Sequence, residues 1–352
     1  MNIHRWWLSP AHEINRYAQA AAAERQDVLT KPAGSLGELE QIAIRLAGLQ
    51  GRDKPELKAP WISIFAADHG IAAAGVSAFP QEVTVQMVAN FATGGAAITV
   101  LARQIHAAFE VVDVGVAGDT SAHAAVVQNK IAAGTANFLE TPAMTPDQLE
   151  AALDAGRAAV ARALAANADC FIAGEMGIAN TTSASALACV WLKATPAEMC
   201  GPGTGLNAQG ISRKADIVAQ ALIRHAASQR NPFETLATFG GFEIAAMTGA
   251  YIAAAQAGLP VIVDGFISSV AALAARVLNP GVERWFFFGH QSAEPAHARV
   301  LDDFGALPLL KLKMRLGEGS GAAAAFPTLQ LACALHSQMA TFAEAGVSAG
   351  DA

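Results

Sequence analysis

"WISIFAAD" (61–68) decides the fold: a short apolar run, broken only by Ser63, that ends in an acid. Five runs of the same kind follow it: FEVVDVG (109–115), DCFIAGE (169–175), LPVIVDG (259–265), RWFFFGH (284–290) and LLKLKMRLGE (309–318). Longer alanine-rich stretches with helical character separate them. Short apolar runs alternating with helices indicate parallel strands covered on both faces, an α/β fold. Polar residues gather at the ends of these runs: Asp68 and His69, Asp113, Glu175, Asp264, His290 and Glu318. Open parallel sheets bind ligands outside the carboxyl ends of their strands, so these groups are expected to face one crevice. Each acid taken singly has a second role open to it, as a cap for the next helix.

Outward from the runs, both chain ends read as helix. In LSPAHEINRYAQAAAAERQDVLT (8–30), Ser9 is the expected N-cap and Pro10 the first helical residue. Ser35 and Glu38 fit a capping box for a second helix. After Ser320 a helix is expected to about Ala343, followed by an unstructured AGVSAGDA (345–352). The stretch 244–263 carries no charge and is about as long as a membrane-spanning helix. Gly258 and Pro260 break it, so it reads as a buried helix to about Gln256, a turn and a buried strand.

Composition narrows the partners. A chain of 352 residues, 53% hydrophobic and 15% charged, can bury a large core. A net charge of -7 without a basic cluster argues against nucleic acid and against an anionic membrane surface. The four cysteines form no CxxC pair and have no histidine at zinc-finger spacing. With no signal-peptide core at the N-terminus, they read as reduced thiols of a cytoplasmic protein. No HExxH or other metal spacing is present, and no catalytic metal is expected.

Two glycine-rich loops carry the chemistry. In GEMGIANTTSASA (174–186), Gly177 belongs to a turn, and Asn180, Thr181 and Thr182 sit where the first free amides of a helix would lie. Amides, hydroxyls and helix dipole together suit a phosphate, although Asn180 could serve only as an N-cap. CGPGTGLNAQGISRK (200–214) supplies Gly203, Thr204 and Gly205, with Lys214 as a cation for the same phosphate. Neither loop fits a P-loop, and Leu206 stands where GxGxxG needs its last glycine, which disfavours a nicotinamide dinucleotide site. In 66–97, Val83, Met87, Val88 and Phe91 share a helix face. That face is either core or a wall for a flat aromatic ligand, with Phe79 as a lid. Asp68 and His69 could be catalytic or could tie their loop down, and the second role is favoured. His290 and His297 could share a helix face, with Ser292 between them on the phosphate. Glu318, between Gly317 and Gly319, is a charge that must be solvated, paired or used.

These segments resemble the nicotinate-nucleotide–dimethylbenzimidazole phosphoribosyltransferases, which make α-ribazole phosphate for the lower ligand of cobalamin. The matching stretches are TKPAGSLGELE (30–40), ADHGIAAAGVSAFPQEVTVQMVANFATGGAAI (67–98), GEMGIANTT, GPGTGL, GGFEIAAMTGA (240–250), VDGFISS (263–269), GHQSAEPAH (289–297) and MRLGEGSGAA (314–323). The resemblance implies a doubly wound, mainly parallel Rossmann-like sheet at 56–329 with helices on both faces. It also implies a small helical domain from 1–55 and 330–352, and a homodimer acting on small molecules. It implies Glu318 as general base and a base pocket of Ser77, Phe79, Met87, Leu316 and Gly317. The phosphate and ribose would lie on Gly177, Asn180, Thr181, Thr182, Gly203, Thr204, Gly205, Lys214, Asp264 and Ser292. Nicotinate mononucleotide would be a substrate, and no cofactor is implied. On chemical grounds Glu175 is the candidate second acid, placed for positive charge developing near the ribose, with a helix cap as its other role. Phe79 falls where relatives vary, and Ala296 stands where many carry glycine. Transfer to adenine or a phenol, or a nucleotide-binding regulator without turnover, are the competing readings.

Overall fold

The computed structural model describes residues 5–348. Its strands are β1 (Pro60–Ala67), β2 (Ala108–Gly115), β3 (Val126–Gln128), β4 (Cys170–Met176), β5 (Val261–Val263) and β6 (Phe286–Phe288). All pair in parallel, in the order β3-β2-β1-β4-β5-β6. Helices α1 (Arg16–Val28) and α2 (Glu38–Gln50) precede the sheet. α3 (Val83–Thr93) and α4 (Ala97–Gln104) lead from β1 to β2, and α5 (Pro146–Ala165) leads into β4. Between β4 and β5 lie α6 (Asn180–Leu192), α7 (Pro196–Met199), α8 (Ala208–Arg224), α9 (Pro232–Phe239) and α10 (Phe242–Ala257). α11 (Phe266–Leu278) joins β5 to β6, and α12 (Pro295–Phe304), α13 (Ser320–Gln338) and α14 (Phe342–Ala345) follow. The chain moves outward from β1 through β2 and β3, then returns to β4 on the other side of β1. That reversal places the topological switch point, where such sheets bind ligands, between β1 and β4.

The interior is apolar on both faces of the sheet. β1 is buried along almost its whole length, and Phe171, Ile172, Val261, Ile262 and Phe286 are buried beside it. α10 is buried nearly all round and packs on α5, so the uncharged stretch of the sequence is core helix, turn and β5. The stretch Val83–Gln104 is long and apolar enough to cross a membrane by length and composition. It is two helices, divided where Gly94 turns to φ +82°.

Several local expectations give way to tertiary contacts. α1 starts at Arg16 with Asn15 as its cap, six residues after Pro10. The segment at Ser9 is instead held extended on the core: its carbonyl accepts from Gln256 Nε2 (2.7 Å) and Asn279 Nδ2 (2.6 Å). α2 is preceded by Gly37, not capped by Ser35. The acid that closes this turn is Glu40, which accepts from the Leu36 amide (3.0 Å) and pairs with buried Lys31 (2.8 Å). The run at 309–318 is not a strand. Only Leu310 bridges, to His290, before the chain leaves the sheet. Lys311, Lys313 and Arg315 are exposed there, and a strand covered on both faces has no water for them. The sixth place is taken by the three-residue β3, which the reading of apolar runs did not find. α13 ends at Gln338, earlier than expected; a Thr341 capping box starts α14. Of the expected C-terminal tail, 349–352 lie outside the described residues. The terminal helices α1, α2 and α13 pack together.

Candidate active site

A cavity of about 280 Å³ opens at the carboxyl ends of β4, β5 and β6, beside the switch point. Glu175, Asp264, His290 and Glu318 line it. Asp68, His69 and Asp113 do not, so the strand-end groups share the crevice only in part. Asp113 turns away onto its own loop, accepting from the amides of Gly115 (3.0 Å) and Val116 (2.9 Å) and meeting Lys130 at 3.3 Å. His69 is buried beneath the site, with Nε2 2.7 Å from Glu243 Oε1 and Nδ1 3.0 Å from Ser183 Oγ. Asp68 accepts from the Ala117 amide (2.8 Å). Both residues therefore tie elements together rather than face the cavity.

Glu318 sits in an unusual turn. Gly317, Glu318 and Gly319 all have positive φ, at +84°, +62° and +76°. For a residue with a side chain this region costs about 1–2 kcal/mol. The turn packs against the face of β4: a Cβ at Gly174 would stand 2.5 Å from the Glu318 carbonyl carbon. Glu318 is 6% exposed, and its Oε2 has no partner among the described residues. Burial, then the nearby Asp264 charge, raises its pKa to about 7. Glu175 faces it from the end of β4. Its Oε1 accepts from the Glu318 amide (3.4 Å), and its Oε2 accepts from Asn180 Nδ2. Burial, then Glu243, pushes Glu175 well above the usual carboxylate range; Asp264 and Glu318 push the same way, and only Asn180 opposes. A side chain at Gly317 would collide with this carboxylate, so glycine there allows the two acids to meet.

The phosphate loops converge on one side of the cavity. Gly177, Asn180, Thr181, Gly203 and Thr204 line it. Asn180 is the first residue of α6 rather than its N-cap, a position held by Ala179, and its side-chain Nδ2 donates to Glu175. Buried Lys214 lies behind the wall and donates to Thr181 Oγ1 (2.7 Å). Burial lowers its pKa. A Cβ at Gly203 would stand 2.8 Å from Thr181 Oγ1 and 3.5 Å from Lys214 Nζ, so loop, hydroxyl and ammonium form one cradle. Thr182 is buried in α6 and Gly205 lies on the outer part of its loop; neither lines the cavity. Ser292 lines it and is held by His297, whose Nδ1 accepts from the Ser292 amide (2.9 Å). That bond leaves the proton on Nε2, which donates to Ser269 Oγ (2.9 Å). Burial, then His290, lowers His297 to about 3, so it is neutral. The two histidines do not share a helix face: His290 follows β6, His297 is in α12, and their rings meet at 6.1 Å.

Apolar residues line the cavity among these loops. Phe79, Leu316 and Gly317 belong to this wall, with Phe79 about half exposed. Ser77 and Met87 do not line it; Ser77 bonds Thr204 (3.1 Å), and Met87 packs against the core. The remaining wall comes from Met176 at the end of β4, Ile178 in the turn after it, and Phe266 and Ile267 at the start of α11. Sequence reasoning missed these, along with Glu294 and Arg315. Glu294 Oε1 accepts from the Gly203 amide (3.0 Å), and burial raises its pKa against the pull of Lys214. Its place within GHQSAEPAH, just before the helix-starting Pro295, was the available signal. Among the described residues no group of three His, Cys, Asp or Glu side chains could hold a metal.

Comparison with known proteins places this geometry. A family model described as phosphoribosyltransferase matches residues 11–347. The nicotinate-nucleotide–dimethylbenzimidazole phosphoribosyltransferase of Pseudomonas fluorescens is 57% identical over 97% of this chain and 98% of its own. The one from Azotobacter vinelandii is 57% identical over 98% of both chains. The crystal structure of the Thermus thermophilus enzyme of that name superposes with a TM-score of 0.91 at 46% identity, over 96% of this chain and 100% of its own. With such likeness along nearly its whole length, the chain belongs to the nicotinate-nucleotide–dimethylbenzimidazole phosphoribosyltransferase family.

Proposed function

We propose that this chain moves the phosphoribosyl group of nicotinate mononucleotide onto dimethylbenzimidazole, giving α-ribazole phosphate and nicotinate for cobalamin assembly, with Glu318 as the general base. The observation that carries the base assignment is the buried Oε2 of Glu318, without a partner among the described residues, on a side chain that lines a cavity of apolar and phosphate-suited residues. The anomeric carbon of the substrate bears a cationic pyridinium. When that bond breaks, its electron pair stays on the nicotinate nitrogen, and the leaving group needs no acid. A benzimidazole nitrogen forms the new bond, and the proton on its other nitrogen passes to Glu318. Base help of this kind is worth roughly a hundred- to ten-thousand-fold, and alignment of the two reactants on the order of 7–11 kcal/mol.

Glu175 is proposed as the second acid. Alone and buried it holds its proton strongly. The pyridinium cation supplies the opposite charge that it lacks, so it ionises with substrate bound and stabilises positive charge growing at the ribose. The phosphate is proposed to lie on Gly177, Thr181, Gly203 and Thr204, with Lys214 behind them and Ser292 opposite. Glu294 must then release the Gly203 amide. The flat acceptor is proposed to stack among Phe79, Leu316, Met176, Ile178, Phe266 and Ile267. The reaction is proposed to need no cofactor. Four free, buried cysteines support a cytoplasmic home, the charge of -7 argues against nucleic acid and membrane, and the homodimer rests on the family resemblance.

The test is nicotinate release from nicotinate mononucleotide, with and without dimethylbenzimidazole, for the wild type and Glu318→Gln. Acceptor-dependent release that collapses in the variant is the expected result. Equal release by both proteins would take the base role from Glu318. Release driven by adenine or a phenol, but not by dimethylbenzimidazole, would change the acceptor. Binding of the nucleotide without release under any acceptor would point to a regulator.

A further inference from the structure

We propose that Asp264 is the positioning residue of the Glu318 carboxylate, holding the left-handed turn at 317–319 in register with β4 while itself staying out of the chemistry. The inference rests on Glu318 being the base.

Three successive residues with positive φ do not stand unaided when the middle one carries a side chain. Something must hold the turn: Glu175 accepts from the Glu318 amide within it, and Asp264 holds its C-terminal flank. Its Oδ2 accepts from the Gly319 amide (3.1 Å), directly after Glu318, and its Oδ1 accepts from the Ala322 amide (2.9 Å) in the first turn of α13. The acid ending β5 thus clamps the start of α13 and the end of the strained turn together. His290 stands 3.5 Å from Oδ1 and backs the clamp from the end of β6. Its ring leaves no room for a side chain at Gly321, so the helix start is pinned from that side too. Both oxygens of Asp264 are therefore occupied, although it was expected on the ribose or phosphate.

The clamp has an electrical consequence. Asp264 faces Glu318, Glu175, His290 and Tyr251, and of these only His290 can be cationic. Burial raises Asp264, but His290 and the backbone amides hold it back. Glu318 has no such support, and the Asp264 charge adds to the burial that raises it. The charge of Asp264 thus raises the proton affinity of the group it positions.

Asp264→Asn keeps the side-chain size and one accepting oxygen but removes the charge. It is expected to lower kcat about ten- to a hundredfold with little change in KM for nicotinate mononucleotide, and to move the acid limb of kcat to lower pH. The acceptor's own titration is the same in every protein compared, so a moved limb belongs to the enzyme. A purely structural role for Asp264 would lower the melting temperature and kcat and leave the limb in place. Gly319→Ala serves if Asp264→Asn fails to fold: it disturbs the turn but keeps the charge, and is expected to lower kcat without moving the limb. Wild-type kcat in Gly319→Ala, or an unmoved limb in Asp264→Asn, would overturn the proposal. Glu318→Gln, run alongside, separates the two claims, since a wild-type rate in that variant would defeat the base assignment itself.

Discussion

Asp113 and Glu318 occupy comparable places, each an acid at or beyond the carboxyl end of the sheet, yet their surroundings are opposite. Asp113 has two backbone amides, the Thr120 hydroxyl and the Lys130 ammonium around it. Glu318 has a buried oxygen with no partner among the described residues and an acid on either side, Glu175 and Asp264. The first carboxylate is finished as structure. The second is left expensive to ionise, and a substrate that brings a transferable proton relieves it. Position at a strand end therefore makes a group available, and what remains unsatisfied there makes it reactive.

The comparison can be broken most directly at Glu318. Glu318→Gln is expected to lower the transfer rate by roughly a hundred- to ten-thousand-fold, seen in steady-state nicotinate release. The same variant should be the more stable protein. The folded pKa of Glu318, about 7, lies above its ordinary 4.5. Between those values the folded chain keeps a proton that the unfolded chain has lost, so this group's contribution to stability falls as pH rises. Glu318→Gln escapes that loss, and should gain up to about 3 kcal/mol above pH 7 and nothing below about pH 4.5. Melting curves across that range would show it. On the phosphate side, Lys214→Gln is expected to raise KM for nicotinate mononucleotide about ten- to a hundredfold, the value of a hydrogen bond to a charged group, while kcat changes less. The smallest effect belongs to the satisfied acid. Asp113→Asn should cost about 1–2 kcal/mol in denaturant unfolding and leave kcat and KM unchanged.

How much of this was legible follows the same division. Five of the six apolar runs are strands, because burial on both faces leaves an unmistakable composition. The run at 309–318 misled because its leucines alternate with lysines and arginine that need water, and the short β3 carries no run at all. Helix starts at Ser9 and Ser35 were sound local chemistry, overridden by Gln256 and Asn279 in one case and by the Lys31–Glu40 pair in the other. Within the site, Glu175, Asp264, His290 and Glu318 were visible as strand-end polar groups. The apolar wall at Met176, Ile178, Phe266 and Ile267 was not, since single apolar residues at a strand end, a turn and a helix start form no pattern of their own, and only the folded chain shows which way they face. Met87 was legible as core or as wall, and packing against the core decided for core. Glu294 and Arg315 reach the Gly203 loop from distant segments, a contact no spacing reveals.

The central claim is that one carboxylate, kept near neutrality by burial, takes the proton. The most direct test is kcat/KM for dimethylbenzimidazole across pH 5 to 9 in wild type and Glu318→Gln. The account expects an acid limb near pH 7 in the wild type that is missing from the variant, where only the acceptor's own titration remains. The same limb in both proteins, or a wild-type limb no different from the acceptor's, would contradict it.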